Sequence, residues 1–223
     1  MARLTRQDYM GNTVDIARRL IGCLLVRRYE GELLVCRITE TEAYVGAVDK
    51  ACHAYGYRKT RRNATMFGPP GHAYLYLIYG MHACLNFVTN GEGEPDAVLL
   101  RGLEVLRGRD TLCRLRYGKS WEELSAYQRK NFLNGPGKCC QALALDTSLD
   151  GLDLTGDDLY LCTDPADVGL LSSLPPFRVA AGKRIGIDYA EEAVDFPWRF
   201  TLQPINKKKN SYSNTNQKNI ITL

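Results

Sequence analysis

Tyr74-Leu-Tyr-Leu-Ile-Tyr-Gly-Met-His-Ala-Cys-Leu-Asn86 is the stretch that decides how this chain reads. Two apolar segments flank a break at Tyr79-Gly80-Met81-His82, the pattern of a β-hairpin. Hairpin tips normally carry small polar residues, whereas this one carries Tyr, Met and His. A bulky, partly apolar tip has little reason to face water. It suits a wedge pushed between stacked bases, the device of proteins that kink or unstack a duplex. Tyr74 and Tyr76 share one face of the first strand, with Tyr79 at its end. Cross-strand aromatic packing accounts for them; so does a stacking platform, because every base offers a π-face to a tyrosine ring.

Working outward, Arg37-Ile-Thr-Glu-Thr-Glu-Ala-Tyr44 reads as a strand whose alternation places Ile38, Glu40, Glu42 and Tyr44 on one face. Two carboxylates on a face otherwise suited to burial are costly unless paired or functional. A carboxylate beside an aromatic at a strand end suits a general base for water. The structural alternative is an ion pair with Arg37 or another arginine. Acting together, the two acids would form a site of glycosidase type, with two carboxyls flanking a sugar bond. His53 lies in the loop that follows, and a lone histidine is more often a surface or satisfied core residue. His72 and His82 have no spacing that suggests a metal. Asn134-Gly-Pro-Gly-Lys138 opens a helix without phosphate-loop spacing, since Cys139 follows the lysine. Its free N–H groups, with Lys138, would suit one backbone phosphate.

Composition bounds the rest. With 223 residues and 45% apolar content the chain can bury one real core. No apolar run approaches the ~20 residues that span a bilayer, and the N-terminus lacks the apolar core of a signal peptide. The expectation is a soluble intracellular protein, cytoplasmic and nucleoid-associated if bacterial, with no membrane partner. The eight cysteines include no C-x-x-C and no zinc spacing, so reduced, mostly buried thiols are expected. Net charge is only +4, but Arg58, Lys59, Arg61 and Arg62 gather on one segment, and Arg101, Arg107, Arg109, Arg114 and Arg116 on another. Two basic clusters flanking the aromatic hairpin point to a polyanionic partner.

The elements follow from periodicity and punctuation. Asn12 or Thr13 caps a helix that ends at Gly22. Strands are expected at 23–26, 33–44, 97–101, 159–162, 184–187 and 198–202. Helices are expected at 108–116, at 121–132 after a Ser120/Glu123 capping box, and at 138–145. Residues 45–71 form a long Gly-, Arg- and Pro-rich segment, and loops of this length inside a compact domain are usually functional. The outcome is a single α/β domain of α+β type over residues 1–204. Its sheet is curved and mostly antiparallel, with surrounding helices and a protruding hairpin, and a disordered basic and polar tail follows over 205–223.

Glu40-Thr-Glu-Ala-Tyr-Val-Gly46, His53, Met66-Phe67, Pro70-Gly71, Tyr76-Leu-Ile-Tyr-Gly-Met81, Cys84-Leu-Asn86 and Leu99-Leu-Arg101 together resemble the alkyladenine (3-methyladenine) DNA glycosylases. Gly135-Pro-Gly-Lys138, Gln141-Ala-Leu143, Arg184-Ile-Gly186 and Pro197-Trp-Arg-Phe200 continue the resemblance, which covers roughly residues 5–201 with the motifs in order. It implies a repair enzyme that flips alkylated, and possibly deaminated, purines out of double-stranded DNA. Hydrolysis of the N-glycosidic bond then leaves an abasic site, with no cofactor and no metal, the enzyme acting as a monomer. Glu42 is then the general base, and Arg101 holds the water and the carboxylate. Tyr44 and Tyr76 sandwich the base, with His53 at its edge. Asn86 disfavours normal guanine through its 2-amino group. Tyr79 is the wedge with Met81 beside it, and Arg116 and Lys138 approach phosphates. A non-catalytic binder of damaged DNA with the same wedge, and a hydrolase of free nucleosides, are the alternatives. Arg61, Ala83, Gly102 and Val105 depart from the residues common in the family, and the last strand is expected to dissolve at Thr201-Leu-Gln-Pro204.

Overall fold

Asn12 starts the first helix: its side chain accepts hydrogen bonds from the Val14 and Asp15 amides, two donors that the helix itself leaves unpaired. That helix, α1 (Thr13–Arg19), buries Ile16, Ala17 and the following Leu20 completely, each of the two large aliphatics contributing ~1.5–3 kcal/mol. A computed structural model of the chain describes residues 3–171 and 173–205. From residue 206 onward, the expected tail lies outside the described residues.

The strands are β1 (Leu24–Tyr29), β2 (Glu32–Tyr44), β3 (Ala73–Ile78), β4 (His82–Thr89), β5 (Asp96–Arg107), β6 (Leu159–Cys162), β7 (Phe177–Gly182) and β8 (Arg199–Pro204). The remaining helices are α2 (Arg109–Tyr117), α3 (Ala126–Lys130) and α4 (Pro136–Ala142). All eight strands belong to one sheet in the order β3-β4-β5-β2-β1-β6, with β8 on β2 and β7 on β8. Every pairing is antiparallel, and the domain is of α+β type. β2 is the trunk. β5 runs along one of its edges, while β1 pairs with Glu32 to Arg37 and β8 with Glu40 to Glu42. The sheet therefore forks at the strand that carries both candidate carboxylates.

The two faces of the sheet have different fates. Ala73 and Leu75, Ala83, Leu85 and Phe87, and Val98 and Leu100 join the main core with α1, α2 and α4. The alternate residues face the other way, where the 45–71 segment covers Tyr74, Val88 and Ala97 with Cys52, Ala54 and Met66. All eight cysteines are unpaired and buried.

β2 does not keep one phase, and here the structure corrects the sequence reading. Ile38 faces the helix side with Leu34 and Cys36, whereas Ala43 reaches that side five residues later. The register between β2 and β5 shifts on both sides of Glu40, so that Thr39 and Arg101 are skipped. This bulge turns Glu40, Glu42 and Tyr44 onto the face opposite Ile38. Gly102 permits the close approach, because a Cβ there would lie 2.8 Å from Thr39 Oγ1 and 3.0 Å from the Glu40 Cβ.

Other boundaries also move. The hairpin tip is three residues, Tyr79 to Met81, since His82 already pairs with Ile78. The helix expected at 121–132 shrinks to α3 because Ser125 and Gln128 form the capping box; Glu123 accepts a bond from the Ser120 amide without starting a helix. The 138–145 helix starts earlier, at Pro136, and ends at Ala142. Arg184 to Ile187 is an irregular segment with Gly186 at φ +75° instead of a strand. β8 does not dissolve at Thr201 but pairs with β7 through Pro204. Nor do the arginines from 101 to 116 form one basic face. Arg101 meets Glu40, Arg107 donates to the Val168 carbonyl, and Arg116 donates to the carbonyls of Asn131 and Phe132.

Candidate active site

The face opposite the helices holds a cavity of about 280 Å³, at the lower end of the ~300–1,000 Å³ usual for small-ligand sites. Its floor comes from β2, β4 and β5 (Tyr44, Asn86, Leu99, Arg101), and its sides from Tyr76, His53 and the 185–189 segment. Tyr79 stands at the rim. Six of the residues expected from sequence thus meet around one space: Tyr44, His53, Tyr76, Tyr79, Asn86 and Arg101.

Glu42 lies behind the wall. It is fully buried, and the cavity meets its neighbours Tyr44, Arg101 and Ile185 instead of the carboxylate. Both oxygens are engaged. Oε1 accepts from the Ile185 amide at 2.8 Å, and Oε2 from the Tyr44 hydroxyl at 2.9 Å. Arg101 approaches from the side, with Nε 3.4 Å from Oε1 and Nη1 3.4 Å from Oε2. Burial raises the carboxyl above the usual carboxylate range, against the opposing pull of Arg101, the Ile185 amide and the Tyr44 hydroxyl. Of the two partners posed by the sequence, Arg37 pairs with Glu104 instead, and it is the other arginine, Arg101, that pairs with both acids.

The aromatic walls are locked together. His53 Nδ1 is 3.0 Å from the Tyr74 hydroxyl, and its ring meets Tyr76 edge-on with centroids 4.5 Å apart. Burial of its inner side, and then the Arg62 charge, lower its pKa; its exposed outer edge lets solvent limit the shift. Neutral imidazole has one donor and one acceptor to offer. Asn86 is buried, with its side-chain amide donating to the Tyr74 carbonyl at 3.2 Å.

Several residues outside the sequence expectation hold this arrangement. Arg184 and Asp49 form an ion pair whose side chains are wholly buried, with Nη2 2.7 Å from Oδ1. The same guanidinium donates to the Ala43 carbonyl and lies 4.7 Å from the Tyr44 ring centre. It thereby fastens the segment that delivers the Ile185 amide to Glu42. The Arg184-Ile-Gly motif pointed here, but nothing local links it to Asp49, which is 135 residues away. Arg62, read from sequence as part of a basic cluster, places its guanidinium 5.1 Å from the Tyr76 ring centre.

The tip differs from the cavity. Tyr79 and Met81 are 83% and 72% exposed. Tyr79 and Gly80 both have positive φ, +53° and +68°, the backbone of a type I′ turn; for a tyrosine this conformation costs ~1–2 kcal/mol. His82, at the base of the tip, packs on Gly137 of α4. Next to Gly137, Lys138 bonds Asn134 Oδ1 at 2.7 Å, and partial burial, followed by the nearby Arg116 charge, lowers its pKa. Arg116 and Lys138 therefore stand together beside the tip and outside the cavity.

Among the described residues, no group of three or more His, Cys, Asp or Glu is placed to hold a metal ion. No helix among them is long and apolar enough to cross a membrane. The sequence pattern of the methylpurine-DNA glycosylases (MPG) matches residues 7–205. The chain belongs to that family. Similar proteins named "Putative 3-methyladenine DNA glycosylase" include one from Clostridium perfringens (strain 13 / Type A), 46% identical over 202 residues, or 90% of this chain and 96% of the relative. Another, from Bacillus cytotoxicus, is 48% identical over 195 residues, covering 87% and 93% of the two chains. A third, from Desulfitobacterium hafniense (strain Y51), is 44% identical and covers 91% and 96%. As a methylpurine-DNA glycosylase family member, this chain is a monofunctional DNA glycosylase, and its substrate is DNA.

Proposed function

We propose that the chain flips alkylated purines out of duplex DNA and hydrolyses their N-glycosidic bond, acting as a single chain. The observation that carries this reading is a base-sized aromatic cavity with Arg101 in its wall, the buried Glu42 paired to it from behind, and an exposed tyrosine at its rim. A stacked base cannot be excised, so extrusion costs a few kcal/mol, less for a damaged base. Tyr79, with Met81 beside it, fills the gap in the stack, and Arg116 and Lys138 lie where neighbouring phosphates would pass. Alkylation at N3 or N7 makes the purine cationic and weakens its bond to the sugar. Between Tyr44 and Tyr76 such a cation gains roughly 0.5–2 kcal/mol. His53 meets its edge, and Asn86 stands against the 2-amino group of normal guanine.

Glu42 is the general base. Its contacts with the Tyr44 hydroxyl and the Ile185 amide are short, whereas both contacts with Arg101 are 3.4 Å. A water arriving from the cavity and displacing Arg101 from one Glu42 oxygen would be oriented by the guanidinium and would give up its proton to the carboxylate. The negative charge also favours an oxocarbenium-like sugar. Among the described residues no lysine lines the cavity, so the expected product is a free base and an abasic strand, with no cleavage by an amine nucleophile.

Duplexes that each carry one lesion (3-methyladenine, 7-methylguanine, hypoxanthine or ethenoadenine) test the reading. Free base should appear while the strand stays intact until alkali is added. Affinity should fall with salt at a log–log slope of about −0.9 per phosphate contact. Excision from free nucleosides without salt dependence would favour a nucleoside hydrolase, and binding without base release would favour a non-catalytic damage binder.

A further inference from the structure

We infer that Glu40 is a positioning residue: it holds the Arg101 guanidinium between two carboxylates, so that Arg101 does not fully neutralise Glu42. The inference rests on the proposed role of Glu42 as general base. Three observations support it. Arg101 Nε lies 3.1 Å from Glu40 Oε1 but 3.4 Å from the nearest Glu42 oxygen, so the cation is shared and leans towards Glu40. The same Glu40 oxygen is 3.3 Å from Arg199 Nε on β8, which anchors it from a second strand. The bulge at Thr39 and Arg101 is what turns Glu40, Glu42 and Arg101 onto a common face. Gly102 leaves room for Glu40 there.

The groups facing Glu42 define what Glu40 changes. Tyr44 and Glu40 come from its own strand, Arg101 from β5, and Arg184 and the Ile185 amide from the segment after β7. Arg199 acts through Glu40. Arg101, the Ile185 amide and Tyr44 favour the carboxylate, and Glu40 alone among these side chains disfavours it. Glu40 also borders a second cavity, of about 360 Å³, shared with Thr39, Glu104, Arg109, Trp121 and Lys130. Its outer side is therefore open to solvent from a direction that a base in the first cavity does not cover. Without the Glu40 charge, Arg101 would belong to Glu42 alone, which would make Glu42 a weaker base.

Single-turnover excision from a duplex bearing one N7-methylguanine, followed across a pH series, tests this. That base leaves without needing a proton, so the acid limb reports the ionisation of Glu42. Glu40→Gln should move the acid limb to lower pH and lower the plateau several-fold, with affinity for an abasic-site duplex unchanged. Glu40→Asp, which restores the charge, should bring the limb back towards its wild-type position. A Glu40→Gln limb that coincides with wild type, whatever its plateau, overturns the inference. Glu42→Gln run alongside separates the two failures. Wild-type excision by that variant overturns the reading of Glu42 and this inference with it. An inactive Glu42→Gln beside an unmoved Glu40→Gln limb overturns this inference alone.

Discussion

The hairpin tip and the floor of the cavity lie at opposite limits of confinement. Tyr79 and Met81 project largely into solvent, on a turn that strains the tyrosine backbone. Glu42, behind the floor, is fully buried and held through both oxygens by three different segments of the chain. An exposed apolar tip gains its energy only when something covers it. A buried charge must have its partners before any ligand arrives. Under the proposed function the tasks separate: the tip would handle the duplex, and the floor the bond.

The largest expected effect breaks the floor without touching the tip. Glu42→Gln should lower the excision rate by about 10²–10⁴, while an abasic-site duplex still binds, as read by single-turnover kinetics and fluorescence anisotropy. The wild-type rate should fall on acidification through the raised Glu42 pKa, because only the ionised carboxylate can accept the proton. Next comes the support of the floor. Asp49→Ala leaves the Arg184 guanidinium buried without its carboxylate, and should cost ~3–5 kcal/mol in a urea melt. A loss under ~1 kcal/mol would mean that the backbone carbonyls of Ala43 and Ala193 suffice for Arg184.

The tip should behave in the opposite way. Tyr79→Gly should weaken capture of the flipped base by ~1–3 kcal/mol, the worth of one stacked base, while the thermal midpoint holds or rises, since glycine takes the positive φ without strain. A lowered midpoint would mean that the tyrosine supports the fold, and the contrast would fail. The smallest effect lies between the two regions. Arg62→Ala removes a cation near His53, so the imidazole pKa should rise slightly in an NMR titration. No movement would mean that burial alone sets it.

Much of this was legible in residue order. The hairpin announced itself through two apolar segments around Tyr79-Gly80, and β6 was found at its full length, Leu159 to Cys162. What stayed hidden shares a cause, since each feature is decided by a partner far away in sequence. The bulge in β2 has no Gly or Pro to mark it; its only trace is Gly102 on the opposing strand. Arg184-Ile-Gly-Ile alternates like a strand, but its arginine is claimed by Asp49 and Gly186 adopts a positive φ. The six lining residues followed from motifs whose roles depend on resemblance. The burial of Glu42 behind Tyr44 and Arg101 did not, because side-chain alternation fixes a face and not a depth.

The fork at β2 gives the site an order of assembly. Glu42 lies in the first fifth of the chain, whereas the amide that holds it comes from Ile185, 143 residues later, and the arginine that anchors Glu40 comes from β8. At ~5–20 residues per second, synthesis separates these pieces by roughly 7–30 s. Throughout that interval the carboxylate lacks its Ile185 clamp, and β2 has nothing along the stretch from Glu40 to Glu42 that β8 will take. A growing chain can therefore complete its hairpin while the surroundings of Glu42 are still unfinished: if the proposed roles hold, it carries a reader before it carries a blade.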